Sequence, residues 1–317
     1  AATALSVLPV ACAKEPVAVN GDGETSTVSF TVEVPETAVA TKGISDASTT
    51  DELICQVFLN PSKDVYTPIP ELEQKVAVDV ATHKAKVEFS LVKGNRYAFI
   101  FWAQASGTDY YDTSDLRSVK MKVDNVKAND PEMDAFGAAP TLTTTSSTIK
   151  DQNITMYRAL AQVNFGAVLP AQGRVDAVTV KKSKILMTGV PDTFHPFLGG
   201  KSTACEGSAD ITFAENATID EKLTVEGVDY SYLATAYVFA PKSDQKLTDA
   251  KATFTISTEK TTSISAPNVP IQGNYRTNIL GDLLTVGATF NVKIDSGFKG
   301  DDRTYDAVSS SLEKGAT

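Results

Sequence analysis

Residues 26–34 read STVSFTVEV. Val28, Phe30, Val32 and Val34 alternate with Ser, Thr and Glu, so one side of an extended chain is apolar and the other polar. A strict period of two is the mark of a strand with one face on a core and one on water. The same style continues outward. ELICQVFLN, EQKVAVDVA, AKVEFSLV and RYAFIFWAQA follow at short spacing, separated by Asn-Pro, Thr-His and Gly-Asn turn signals. In YAFIFWA both faces are apolar, which places this segment in the middle of a sheet. After SVKMKV the alternation stops. NDPEMDAFGAAP can hold one helical turn, and the Thr/Ser-rich TLTTTSSTIKDQN reads as an edge strand or a linker. A domain boundary is expected near residue 150.

Beyond it, ITMYRALAQVNFGAVL reads as one long strand. GRVDAVTVKKSKILM, SADITFAE, EKLTVEG, YSYLATAYVFAP, AKATFTIST and KTTSISAP are further strands, and ATFNVKID is the last. Many short strands with polar turns and almost no helical periodicity argue for an all-β chain of two tandem antiparallel β-sandwich domains. The expected division is a leader over 1–12, a tether over 13–25, sandwiches over 26–150 and 151–294, and a polar tail over 295–317.

The chain has 317 residues, 21% of them charged and 42% hydrophobic, which is globular rather than disordered. Its net charge of −10 disfavours nucleic acid as a partner. The opening AATALSVLPVACAKEPVAVNGDG carries no charge before Cys12. That run is too short to span a bilayer, which takes about 20 apolar residues. It matches the apolar region and cleavage end of a secretory signal. The Ala-Cys ending points to a bacterial lipoprotein signal, in which the Cys12 thiol takes a diacylglycerol and the peptide is cut just before it. Pro9 stands where such signals usually have Leu, and Leu8 lies one step earlier. The alternative is an N-terminal strand or arm of a soluble protein.

No residue set for chemistry emerges. His83 reads as a turn residue and His195, in TFHPF, as a packed loop residue, neither with partners at metal-ligand spacing. Neither a nucleophile elbow nor a phosphate loop appears. The acidic pairs Asp301-Asp302 and Glu71/Glu73 read as solvated surface. Cys55 reads as a buried small hydrophobe and Cys205 as a loop residue. No metal and no cofactor is expected.

VPIQGNYRTNILGDLLTVGATFNVKID, residues 269–295, carries Pro270, Gln272, Asn274, Arg276, Thr277, Asn278, Ile279, Gly281, Leu283, Leu284 and Thr285 in a pattern that resembles the C-terminal part of fimbrillin-like proteins. These are the type V pilins and related surface lipoproteins of Gram-negative anaerobes. MYRALAQVNF, AYVFAP and TKGISDASTTDELICQVF are similar too. The residues themselves read as structural, with Asn274, Arg276 and Asn278 satisfying loop backbone and Gly281 turning the chain.

The resemblance implies an exported outer-membrane lipoprotein of the cell surface or a fimbrium. It implies two transthyretin-like sandwiches, no enzymatic activity, and other pilin subunits as partners. In such pilins a trypsin-like protease removes the first strand, here Val28, Phe30, Val32 and Val34, and a terminal segment of another subunit fills the groove. The matching cleavage place is Lys42-Gly43. Because Lys42 is not Arg, an Arg-specific protease would leave it, whereas one accepting Lys would cut. The tail beyond residue 295 alternates poorly as a donor. A non-polymerising surface lipoprotein that binds glycan or protein is the alternative, with Trp102 in the core and Tyr110-Tyr111 as its candidate aromatic patch, or else a surface loop with one ring folded back on the domain. A hydrolase on a β scaffold is the third reading, and no residues can be named for it.

Overall fold

The computed structural model describes residues 23–35, 47–62, 65–167, 179–198, 201–241, 243, 245–256, 260–281, 283–284 and 290–295. The described residues are all-β, with two short 3₁₀ turns at Pro70–Leu72 and Pro131–Met133. In chain order the first strands are β1 Thr25–Glu33, β2 Glu52–Ser62, β3 Val65–Pro68, β4 Gln74–Ala77, β5 Lys84–Val92, β6 Arg96–Gln104, β7 Tyr111–Asp112, β8 Val119–Met121, β9 Phe136–Ala138, β10 Thr141–Thr143, β11 Thr148–Thr155 and β12 Tyr157–Arg158. Next come β13 Leu160–Ala167, β14 Val180–Val190, β15 Thr193–Leu198, β16 Lys201–Glu206, β17 Ala209–Ala217, β18 Lys222–Val225 and β19 Val228–Phe239. The last are β20 Gln245–Lys246, β21 Asp249–Ile256, β22 Thr261–Pro267, β23 Pro270–Ile271, β24 Arg276–Gly281 and β25 Phe290–Asp295.

A three-stranded sheet, β11-β1-β5, faces a larger one, β12-β9-β6-β2-β3, onto which β4 and β10 also pair. Their facing side chains form one core, from Val28, Phe30, Val32 and Val34 on one side to Phe99 and Phe101 on the other. In the second half β18-β19-β13-β24-β25 and β17-β14-β21-β22 enclose a second core, where Phe165 and Phe254 lie 6.3 Å apart. A fifth sheet, β16-β15-β8-β7, takes strands from both halves.

Not all pairing is antiparallel as the sequence suggested. β1 runs parallel to β11 and β13 parallel to β24. Each of these parallel partners is far away in the chain, and the long connection between them lets the strand return in the same direction. β11 spans residue 150, and β12 after it still pairs with β9 in the first half. The long strand expected over 154–169 is broken within its described part. Met156 N–H donates to Glu33 O, Ala159 N–H donates to Ala135 O, and regular pairing with the second half begins at Leu160.

β6 explains how the halves meet. Tyr97, Phe99, Phe101 and Ala103 point into the first core, while Ala98, Ile100 and Trp102 point into the second. Trp102 packs on Tyr111, Phe194 and Phe239, with ring centroids 5.4, 5.9 and 6.4 Å away, and its indole N–H donates to Gln104 Oε1 at 2.9 Å. Tyr110 and Tyr111 are buried, not an exposed patch. Tyr110 OH donates to Asp130 Oδ2 and Tyr111 OH to Met133 O. Burial drives both phenol pKa values up.

His195 and Cys205 lie on strands β15 and β16 rather than in loops. Cys55 and Cys205 are free thiols. Burial pushes Cys205 up to about 12 and Cys55 well above the usual thiol value. A thiol at that level is about one part in ten thousand thiolate at pH 8, and only the thiolate reacts. In a chain lacking residues 1–12, neither cysteine is expected to react with a disulfide-exchange reagent at pH 8, and both react after denaturation. Rapid release of one chromophore equivalent from the native chain would contradict this.

Candidate functional site: the first-strand groove and the junction beneath it

β1 lies between two partners. It pairs antiparallel with β5, with Phe30 opposite Val87, and parallel with β11, with Phe30 opposite Gln152. Val28, Phe30, Val32 and Val34 are each at most 2% exposed. The Phe30 ring is surrounded: its centroid is 4.7 Å from Phe99, 5.4 Å from Phe101 and 6.2 Å from Phe89. The strand therefore behaves as a plug with four apolar teeth, which at about 1.5–3 kcal/mol each hold it by roughly 6–12 kcal/mol of burial. One position fits poorly. The Ser26 hydroxyl is fully buried and has no hydrogen-bond partner among the described residues. Taking β1 out would leave a slot with two unpaired strand edges and a row of apolar pockets. Cys12, Lys42 and Gly43 lie outside the described residues.

The residues of the C-terminal motif gather at the junction of the halves. Asn274 takes the left-handed backbone conformation (φ 68°), for which Asn pays less than most residues. Its N–H donates to Leu160 O at 2.9 Å, and its Oδ1 accepts from Arg158 Nη1 at 3.4 Å. Arg158 is held by Asp134 through two bonds of 2.7 Å, from Nε to Oδ1 and from Nη2 to Oδ2. Its guanidinium also sits 4.7 Å from the centre of the Phe136 ring. Arg276 is buried on β24, opposite Gln162 of β13. Asn278 Oδ1 accepts from Asn164 Nδ2 at 2.8 Å, and Asn164 Oδ1 accepts from Thr235 Oγ1 at 2.5 Å. Gly281 ends β24, opposite Ala167 and Phe290. The chain of bonds reaches the first half at Asn129, whose Oδ1 accepts from Thr235 N–H and whose Nδ2 donates to Ser183 Oγ.

Sequence reasoning did not single out Asp134, Arg158, Asn129, Asn164 or Thr235. The available signal was polar residues inside apolar runs: Arg158 in MYRALA and Asn164 in AQVNFGA. Among the described residues no group of three His, Cys, Asp or Glu side chains could hold a metal ion. His195 Nδ1 lies 2.8 Å from Arg117 O and Nε2 lies 3.2 Å from Glu206, so its ring is spent on structure.

The described residues thus combine a strand seated in an apolar slot with a buried polar junction. Residues 20–314 match the profile of a protein family described as a family of unknown function, DUF6562, and the chain belongs to that family. No curated protein matches the sequence. Among solved structures, a candidate cell adhesion protein from Parabacteroides distasonis is similar at 15% identity and TM-score 0.49, over 85% of this chain and 96% of that one. The tip fimbrial protein Mfa3 from Porphyromonas gingivalis is similar at 7% identity and TM-score 0.42, over 86% of this chain and 99% of that one. A fimbrial assembly protein from Parabacteroides distasonis is similar at 10% identity and TM-score 0.42, over 89% of this chain and 100% of that one.

Proposed function

We propose that the chain is a structural, non-enzymatic subunit of a cell-surface fimbria, used in adhesion and assembled by strand exchange. The observation that carries this reading is β1: an extended plug, apolar at alternate positions, in a slot bounded by two strand edges. Backbone pairing along both edges and side-chain pockets between them are what strand addition needs.

A second feature supports it. Val286, Ala288, Phe290, Val292 and Ile294 repeat the spacing of Ser26, Val28, Phe30, Val32 and Val34, with Phe in the same place. Where the resident strand carries the unpaired Ser26 hydroxyl, the later segment carries Val286. This segment runs into β25, which among the described residues pairs with β24 alone and sits at the end of its sheet. A strand from a second subunit with this alternation would fill the slot with no buried hydroxyl.

The rest of the reading follows the resemblance. The halves are two transthyretin-like sandwiches. Cys12 carries the lipid that takes the exported chain to the outer membrane, and cleavage after Lys42 frees the first strand. Partners are other pilin subunits.

The test is limited trypsin-like digestion of the chain from residue 13 onward, sequencing of the new N-terminus, and an unboiled denaturing gel. The expected result is a cut between Lys42 and Gly43 with SDS-resistant multimers. A resistant Lys42, or a cut that leaves β1 bound and gives no multimers, overturns the reading. It would favour a surface lipoprotein that keeps its strand and binds glycan or protein. The hydrogen bonds on both edges of β1 and the depth of Phe30 are what favour that second reading.

A further inference from the structure

None of the residues around a second feature belongs to β1. In the first half, β2, β3 and the turn Pro70–Leu72 enclose with segment 114–117 a cavity of about 230 Å³. Part of its wall is apolar: Phe58 is buried, and Pro68 and Pro70 are exposed. Its charges are unequal. Arg117 and Asp115 answer each other through a fork, Nε to Oδ1 at 2.9 Å and Nη2 to Oδ2 at 2.8 Å, with the guanidinium 5.3 Å from the Phe58 ring centre. Arg117's hydrogen bonds hold the Asp115 carboxyl below the usual carboxylate range.

Glu73 has no such partner; among the described residues no cation pairs with it. Its Oε2 accepts from Gln56 Nε2 at 3.3 Å. Gln56 is itself fixed, since its Oε1 accepts from Leu116 N–H at 2.9 Å and its Nε2 donates to Ser114 O at 3.1 Å. A nearly buried amide thus holds one carboxylate, with no cation on it among the described residues, at the edge of a partly apolar cavity.

We propose that this cavity takes a lysine side chain from a protein partner, with the methylene stem against Phe58, Pro68 and Pro70 and the ammonium on Glu73. The chemistry selects among cations. Arginine binds best to a carboxylate with both oxygens free, and Gln56 already uses one of Glu73's, whereas a lysine ammonium is a point charge that needs only one. A long aliphatic stem ending in a charge suits an apolar wall with a charge at its rim. The net charge of −10 attracts basic partners to this face as to the rest of the surface. The site is independent of strand exchange.

The test is NMR on the full chain with ¹⁵N-labelled glutamine side chains. The probes are Nα-acetyl-lysine methylamide, its Nε-acetylated form, and a methyl pyranoside. The lysine probe is expected to shift the Gln56 amide resonances saturably. The Nε-acetylated form and the Glu73→Gln variant should each bind at least about tenfold more weakly, a change of roughly 1.4 kcal/mol. Ser114→Arg, at an exposed side chain, should fill the cavity and abolish the shift while the remaining spectrum is kept. Absence of a saturable shift, equal binding of the acetylated probe or of Glu73→Gln, or stronger binding of the pyranoside would each overturn the assignment.

Discussion

Replacing Arg158 with alanine is expected to lower stability by about 3–5 kcal/mol, because it strands a buried charge. Asp134 is 0% exposed and Arg158 2%, so neither can recover hydration when its partner is lost. Their two 2.7 Å bonds are the fork-to-fork geometry that makes a buried pair tolerable. Asp134 has a second job. It closes the turn Pro131–Met133 through its N–H to Pro131 O. A carboxylate left alone there would pull water or a proton into the junction between the halves. Arg158→Lys keeps the charge but not the fork, and should fall between alanine and wild type. The double change Asp134→Leu/Arg158→Met is expected to cost less than either single truncation, since it removes both charges together. The exposed pair Lys222–Asp229 is the control, with 76% and 53% of the side chains open to water. Lys222→Ala should change the unfolding free energy, read by urea denaturation, by no more than about 0.5 kcal/mol. A loss below about 1 kcal/mol for Arg158→Ala would mean that water reaches the junction.

Much of this arrangement is legible in the sequence, for reasons that also explain what is not. Side-chain alternation reports which face of a strand is buried, so β1 and β5 are plain in STVSFTVEV and AKVEFSLV. The unbroken apolar run of β6 announces two buried faces, and those faces turn out to belong to different cores. Alternation carries no direction, however. A strand reads the same whether its neighbour runs parallel or antiparallel, so β1 beside β11 and β13 beside β24 are invisible in it. Buried polar side chains mislead in the opposite way. Tyr110 and Tyr111 sit among Asp and Thr and look like surface, yet Asp130 and the carbonyl of Met133 satisfy their hydroxyls inside. Asn164 and Asn278 look like breaks in apolar strands and instead bond to each other. Partners so far apart in the chain leave no local trace.

Phe30→Ala is expected to cost about 3–5 kcal/mol, the usual loss for a large aromatic truncated in a packed core. Three phenylalanine rings lie against the Phe30 ring, with centroids 4.7–6.2 Å away, and lose those contacts on truncation. The loss should appear in the transition of the first half, read by chemical denaturation. On the opposite face of the same strand, Thr31→Ser should change stability by no more than about 0.5 kcal/mol. Ser26→Ala should act in the other direction, raising stability by about 1 kcal/mol, because it removes a buried hydroxyl with no partner. These signs bear on assembly. If a second subunit supplies the strand, the energy at the Phe30 pocket passes to whatever residue enters it. After digestion has removed β1, a peptide spanning residues 286–295 is expected to bind the open slot, and its Phe290→Ala form to bind about a hundredfold more weakly or worse, the equivalent of some 3 kcal/mol. Equal binding of the two peptides would show that the slot reads backbone pairing alone. The shared spacing of Phe30 and Phe290 would then have no part in assembly.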